Sequence, residues 1–292
     1  MILLDGRQTS AKIKEEIAAT VSQMKQQNQR VPHLAAVLVG MDGASMTYVG
    51  AKVRACELVG FDSTLIELPE DTSERELLNQ IKALNNNPDI DGFIVQLPLP
   101  KHIDDQKILM AIAPNKDVDG FHPVNVGRLT LNLPTFISAT PYGIMELLER
   151  YDISTSGKHI VVIGRSHIVG RPMSILMSQK RKAGNATVTV AHSRTTNLEA
   201  LTKKADIVIA ALGIPEFLTA DMVKEDAVVI DVGITRVDDP SKKKGYRIVG
   251  DVDFESVSKK ASHITPVPGG VGPMTIAMLL KNTLLARKGL KD

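Results

Sequence analysis

The 292-residue sequence lacks the features that mark several protein classes. It holds a single cysteine, Cys56. No disulfide can form within the chain, and a reducing compartment, the cytoplasm, is expected. No stretch approaches the ~18 apolar residues of a membrane span. The start, MILLDGR, carries an acid at position 5 and does not read as a signal peptide. Excess charge of one sign is also missing: a net charge of +2 gives no electrostatic reason to expect nucleic acid or a membrane as partner. The histidines at 33, 102, 122, 159, 167, 192 and 263 form no i, i+4 pair and have no cysteine partner, so no metal centre is expected. Neither a G-x-S-x-G elbow nor a P-loop occurs. The only run of like charge, Lys242 to Lys244 beside Asp238, Asp239 and Pro240, reads as a solvated loop.

What remains is 43% apolar residues, ample for globular cores, in a length that suits two domains. Apolar periodicity predicts alternating helices and strands. Ile13, Ile17, Val21 and Met24 mark a helix over 10–24, with Thr9 or Ser10 as its cap. HLAAVLVG at 33–40 reads as a buried strand. Residues 44–58 form a helix ended by Gly60, with Cys56 in its core pattern beside Val53 and Val59. A short strand at 63–68, a helix at 73–85 and a strand at 90–97 (IDGFIVQL) follow, the last broken by the 98–102 stretch. Thr140-Pro141 starts a helix through Arg150 that crosses between domains. An apolar helix over 273–287 returns to the first. No internal repeat is visible.

KHIVVIGRSHIVGRP at 158–172 is an apolar, β-branched strand running into a turn bracketed by Gly164 and Gly170, then a helix opened by Arg171 and Pro172. Small residues let backbone approach a pyrophosphate, and the helix N-terminus offers free N–H groups and a positive dipole end. The spacing departs from G-x-G-x-x-G, and an ordinary strand-to-helix turn has the same letters. The next strand, TVTVA at 187–191, ends in His192, Ser193 and Arg194. An acid near there would hold the ribose 2′-hydroxyl of NAD. None is present, while Arg165, Ser193 and Arg194 suit a 2′-phosphate, which points to NADP. Strands at 205–212 and 227–232 end in Gly213 and Gly233. This is the grammar of a doubly wound sheet, which binds ligands at its carboxyl edge.

Four further groups stand out. Ser45, Tyr48 and Lys52 share a helical pattern, with Tyr48 and Lys52 on one face. A tyrosine there can stack a ring, and a desolvated lysine suits acid/base work, although an exposed lysine packing its stem on tyrosine gives the same spacing. Gln96 ends an apolar strand, as a cap or to orient a lysine or substrate amide. Asp117 and Asp119, in PNKDVDGFHP, read either as turn formers or as a carboxylate for the N–H donors of a heterocycle. The rigid, glycine-rich Pro266–Pro273 segment can line a flat ligand with backbone or serve as a crossover.

SMTYVGAKVRACELVG at 45–60, GFIVQLPLP at 92–100, NKDVDGFHP at 115–123, GRSHIVGRP at 164–172 and TPVPGGVGPMT at 265–275 occur in order, within a match that spans nearly the whole chain. They resemble the bifunctional methylenetetrahydrofolate dehydrogenase/methenyltetrahydrofolate cyclohydrolase family (FolD type). One position departs from the family's frequent pattern: Ala139 stands where a cysteine often precedes the TP pair. The resemblance implies oxidation of 5,10-methylenetetrahydrofolate by NADP⁺ and hydrolysis of the methenyl product to 10-formyltetrahydrofolate. It implies two α/β domains flanking a cleft. Residues 1–138 with the helix 273–292 would bind folate, and residues 139–272 would be a Rossmann-like NADP-binding domain through which a homodimer is built. Lys52 would be the acid/base residue, tuned by Gln96; Tyr48 would stack on folate and Asp119 would bind the pterin. Leu97, Pro268, Gly269 and Gly270 would complete the substrate site. Gly164, Arg165, Ser166, Gly170, Ser193, Arg194, Gly213, Gly233 and Ile234 would hold NADP, and the nicotinamide would face the helix of Tyr48 and Lys52. A nucleotide-binding regulator would lose Lys52, and a monofunctional dehydrogenase would alter Lys52 or Gln96. A shikimate-type dehydrogenase would lack the 92–100 and 265–275 motifs.

Overall fold

The computed structural model describes residues 1–40, 43–242 and 245–290; most of the lysine run expected to be a solvated loop, Lys243 and Lys244, lies outside them. In chain order the elements begin with β1 (Ile2–Leu3), α1 (Gly6–Gln26), β2 (His33–Val39), α2 (Gly43–Val59), β3 (Asp62–Leu68), α3 (Glu74–Asn86) and β4 (Gly92–Val95). Then come α4 (Asp105–Ala111), α5 (Pro123–Thr130), α6 (Ala139–Arg150), β5 (His159–Ile163), α7 (Gly170–Ser178), β6 (Thr187–Ala191) and α8 (Leu198–Thr202). The chain finishes with β7 (Ile207–Ala210), β8 (Val228–Asp231), β9 (Thr235–Asp238), β10 (Tyr246–Val249), α9 (Phe254–Val257), β11 (His263–Ile264) and α10 (Val271–Lys288).

The chain divides into two compact units, one of residues 1–10 and 140–275, the other of 11–139 and Ile276 onward. The expected partition at 138/139 left the N-terminus with the first half. In the structure β1 joins the other unit, because Ile2 and Leu3 pair in parallel with His263 and Ile264.

The unit of residues 11–139 is built on a parallel sheet of order β3-β2-β4. The central strand is apolar on both faces, as a sheet covered on both sides requires. Its core joins Val37, Phe93 and Val95 to Leu77 and Ile81 of α3 and Ile108 of α4. A capping box starts α3: Ser73 N–H donates to Glu76 and the Glu76 N–H donates to Ser73 Oγ. The C-terminal helix belongs here too. Asn282 on α10 is buried and donates to the carbonyls of Val118 and Ile137, both at 2.8 Å.

The other unit carries a six-stranded sheet of order β1-β11-β8-β7-β5-β6, parallel throughout. The chain leaves β5 for β6 on one side and returns to β7 on the other. The carboxyl ends of β5 and β7 are therefore the switch point at which doubly wound sheets bind ligands. Val161, Ile163, Val208 and Val229 lie in its core. An antiparallel hairpin, β9–β10, projects after β8, with the Arg236 guanidinium 3.6 Å above the Tyr246 ring.

Two local expectations are corrected. The first helix is not capped by Thr9 or Ser10. It begins at Gly6, Asp5 Oδ1 accepts the Gln8 N–H at 2.9 Å, and the hydroxyls of Thr9 and Ser10 donate back to the carbonyls of Asp5 and Arg7. The strand expected over 205–212 stops at Ala210, because the Leu212 N–H leaves the ladder for the Asp251 side chain. Cys56 is core, as expected, and burial pushes its thiol up to about 12. Among the described residues no helix is long and apolar enough to cross a membrane.

Candidate active site

In the unit of the three-stranded sheet, α2 and the end of β4 bring Lys52 and Gln96 together. The strand runs on one hydrogen bond past its last residue, Gln96 N–H to the Val37 carbonyl at 2.9 Å, before Pro98 ends it by lacking a donor. The Gln96 amide then bridges two groups. Its Nε2 donates to the Leu97 carbonyl at 2.6 Å, so its Oε1 faces Lys52 and accepts from Nζ at 3.1 Å. Burial lowers the Lys52 pKa, and the charge of Asp119 opposes that shift. Burial also pushes the Asp119 carboxyl up to about 6, with Lys52 pulling it down and Asp117 pushing further up.

The two acids of 115–123 divide the roles that their sequence left open. Asp117 is buried and accepts the His122 N–H at 2.7 Å and the Asn125 Nδ2 at 2.8 Å, so it makes the turn. Asp119 takes no hydrogen bond from the described residues and is left to receive donors from a ligand. Tyr48, one turn before Lys52 on α2, is 44% exposed and is not part of the core. A lysine whose pKa burial lowers, a carboxylate with no donor among the described residues and an open ring can move a proton and hold a flat N–H-bearing heterocycle.

In the other unit, the turn after β5 is closed to any side chain. Gly164 has φ +132°, and a Cβ there would lie 2.2 Å from the Ala211 carbonyl oxygen. A Cβ on Gly170 would lie 2.2 Å from the oxygen of Gly164. Ser166 Oγ accepts the N–H groups of Val169 and Gly170 at 3.1 and 3.4 Å, organising the start of α7. Beside this start, Arg165, Arg171, Ser174, Ile175, Val190 and His192 line an open hollow of about 420 Å³ containing no carboxylate. Ser193 and Arg194 are exposed just after β6, where the Arg194 N–H donates to His192 Nδ1 at 3.1 Å. A phosphorylated dinucleotide fits these residues: bare backbone at the turn, and cations without an acid at the end of β6.

Gly213 is exposed after β7, while Gly233 is buried after β8 beside the exposed Ile234. Pro268, Gly269 and Gly270 belong to this same unit rather than to that of Lys52. Their loop walls a cavity of about 140 Å³ with Arg7, Gly233, Ile234 and Ile248. The Arg7 N–H donates to the Gly269 carbonyl at 3.1 Å. Sequence reading passed over Arg7, Arg171 and His192 in these walls, and over Asp231 and Asp251 beneath them. A signal existed for Asp231, a charged residue inside the apolar run AVVIDV. None existed for Arg7, which reaches the loop only through tertiary structure.

Comparison with known proteins gives concordant matches. Residues 4–119 match the model of the tetrahydrofolate dehydrogenase/cyclohydrolase catalytic domain, and residues 138–290 that of the corresponding NAD(P)-binding domain. The bifunctional protein FolD of Flavobacterium psychrophilum is 68% identical over 291 residues, covering 100% of this chain and 99% of the relative. Among solved structures, the bifunctional FolD methylenetetrahydrofolate dehydrogenase/cyclohydrolase of Campylobacter jejuni is 50% identical with a TM-score of 0.93, covering 99% of each chain. The Trypanosoma brucei FolD, solved with NADP cofactor and inhibitor, is 40% identical with a TM-score of 0.92, covering 99% of this chain and 97% of that one.

Proposed function

The chain belongs to the tetrahydrofolate dehydrogenase/cyclohydrolase family, and from that premise we propose how its residues divide the two reactions. It oxidises 5,10-methylenetetrahydrofolate to 5,10-methenyltetrahydrofolate with NADP⁺, then hydrolyses the product to 10-formyltetrahydrofolate. Bound NADP⁺ supplies the acceptor for the hydride leaving the methylene carbon. Gly164, Ser166 and Gly170 hold the pyrophosphate, Arg165, Ser193 and Arg194 hold the 2′-phosphate, and Gly213, Gly233 and Ile234 line the remainder. In this assignment residues 1–10 and 140–275 form the NADP-binding unit, and 11–139 with the rest of the C-terminal helix form the folate-binding one.

In the folate site Tyr48 stacks on the ring system and Asp119 accepts N–H donors of the pterin, with Leu97 as a wall. In the hydrolytic step a water oxygen bonds to the cationic methenyl carbon. Neutral Lys52 takes one proton from this water, a proton is returned to the ring nitrogen as its C–N bond breaks, and the remaining hydroxyl proton leaves to solvent as the formyl C=O forms. A charged lysine would repel the cationic substrate, so the burial that lowers the Lys52 pKa serves the step directly. Gln96 fixes Nζ towards the reacting carbon. The observation that carries this reading is the bond from Lys52 Nζ to Gln96 Oε1 beside Asp119. The decisive measurement is the appearance and decay of methenyltetrahydrofolate absorbance after methylenetetrahydrofolate is mixed with NADP⁺. Accumulation without decay would remove the hydrolytic role from Lys52.

The cofactor-binding unit also supports a homodimer, because Val190 is exposed on the edge strand β6; sedimentation velocity at micromolar chain tests it. A cytoplasmic location is supported by the lone, buried Cys56, and fractionation with a tagged chain tests that.

A further inference from the structure

Two aspartates that neither reaction uses lie buried under the dinucleotide loops: Asp231 at the end of β8, and Asp251 just past β10, the latter 0% exposed. Asp251 Oδ2 accepts the N–H groups of Leu212 and Gly213 at 2.7 and 2.9 Å, fixing the chain after β7. Asp231 Oδ1 accepts those of Gly233 and Asp251 at 2.9 and 2.8 Å, and Oδ2 accepts that of Val252 at 3.0 Å. The Asp231 N–H donates in turn to Thr265 Oγ1 at 2.7 Å, at the head of the proline- and glycine-rich loop. Two carboxylates thus join three separate backbone segments, and the Asp231 N–H ties in a fourth. Their neighbours make room for them: a Cβ on Gly250 would lie 1.8 Å from Asp231 Oδ2, and one on Gly233 2.3 Å from Asp251 Oδ1.

The link continues to the phosphate turn. The Leu212 N–H held by Asp251 shares a peptide plane with the Ala211 carbonyl, whose oxygen lies against Gly164; the Gly164 oxygen lies against Gly170, the first residue of α7. Burial pushes the Asp231 carboxyl up to about 6, against the backbone bonds that pull it down, and nearby Asp251 adds to the push. Apolar side chains would fill this volume without that penalty, but they could not turn these N–H groups inward.

We propose that Asp251 and Asp231 are positioning residues for NADP. Without touching the dinucleotide, they set the backbone at the ends of β7 and β8, and through Ala211 the turn at Gly164, in the shape that receives it. The proposal rests on the assignment of NADP to these loops.

The test measures NADPH affinity of the full-length protein by fluorescence, together with hydrolysis of methenyltetrahydrofolate in the absence of any dinucleotide. Asp251→Ala removes two backbone anchors and should weaken NADPH by about tenfold or more, with hydrolysis within about twofold of wild type. Asp231→Asn should do the same, because both of its oxygens accept and an amide would set N–H against N–H. Asp251→Asn should bind NADPH nearly as wild type does, since its oxygen can keep the two N–H bonds and its amide nitrogen replaces Oδ1, which has no partner among the described residues. Unchanged affinity in folded Asp251→Ala and Asp231→Asn overturns the proposal, and so does a parallel loss of hydrolysis. If neither variant folds, the isosteric Thr265→Val decides: NADPH binding weakened about threefold supports it, and wild-type binding overturns it. A wild-type protein that binds no NADPH would instead remove the underlying assignment.

Discussion

The carboxyl edge of β2 and β4 and that of β5 and β7 are the same kind of place, each beside the central strand of a parallel sheet. They are furnished in opposite ways. The first is made of side chains whose ionisation is displaced: Lys52 lowered, Asp119 raised to about 6, both mainly by burial. The second is made of backbone, with Gly164 and Gly170 leaving no room for a Cβ. The difference follows from the ligands. A reacting carbon changes charge during turnover and needs groups that can exchange a proton. A pyrophosphate arrives already charged and needs only oriented N–H groups in a fixed shape. The first edge should therefore be sensitive to chemistry at constant volume, and the second to volume at constant chemistry.

The largest expected effect is at Lys52. Lys52→Met keeps the unbranched stem of the side chain and removes the amine, and methenyltetrahydrofolate hydrolysis should fall by roughly 10²–10⁴ with NADPH affinity unchanged. Hydrolysis at the wild-type rate would erase the contrast. Asp119→Ala comes next. Charge-assisted bonds are worth about 1.5–3 kcal/mol each, so the folate KM should rise roughly 10–100-fold while that of NADP⁺ stays put; the wild-type folate KM should also rise as pH falls through about 6 and the carboxylate takes a proton. Equal damage to both KM values would make Asp119 structural. At the other edge, Gly164→Ala adds one methyl in a strained conformation, a penalty of about 1–3 kcal/mol. NADPH should bind about 5–100-fold more weakly, by titration calorimetry, with hydrolysis spared.

Arg165→Ala should act more gently, raising the KM for NADP⁺ about tenfold and leaving that for NAD⁺ nearly unchanged; a wild-type enzyme that uses both cofactors equally well would sink this discrimination. The smallest effect is on stability. The folded Asp119 pKa lies above the ordinary 3.8, so ionising it destabilises the fold above about pH 6, and that penalty disappears as pH falls below about 4. Asp119→Asn should then raise the Tm by a few degrees at pH 8 and by nothing at pH 4, as scanning calorimetry would show.

The same contrast governs what could be read in the amino-acid order. Long amphipathic helices and doubly apolar strands announce themselves, so α1, α3, β2 and β5 are legible to within a few residues. β1 and β11 are two residues each, and Ile2 and Leu3 are exposed; their pairing joins positions about 260 residues apart, which no local pattern carries. The β9–β10 hairpin after Gly233 has no expectation in the sequence reading. In the site, Lys52 and Gln96 were paired through the family resemblance, and their geometry places them in hydrogen-bond contact. The sequence left undecided which of Asp117 and Asp119 makes the turn. That depends on Asn125 of α5 and His122 just before it arriving to occupy Asp117, leaving Asp119 without a donor among the described residues.

The two hydrogen bonds from Asn282 bear on how such a molecule is made. Its side chain anchors the carbonyl of Val118, the residue immediately before Asp119, from a helix nearly at the end of the described chain. On the ribosome the residues of the Asp119 loop emerge more than 160 positions ahead of that anchor. They must wait while the remaining strands of the six-stranded sheet, β5 to β8 and β11, are synthesised. Chains truncated between residues 266 and 281 should therefore hold every strand of that sheet yet leave the Asp119 loop without its Asn282 anchor.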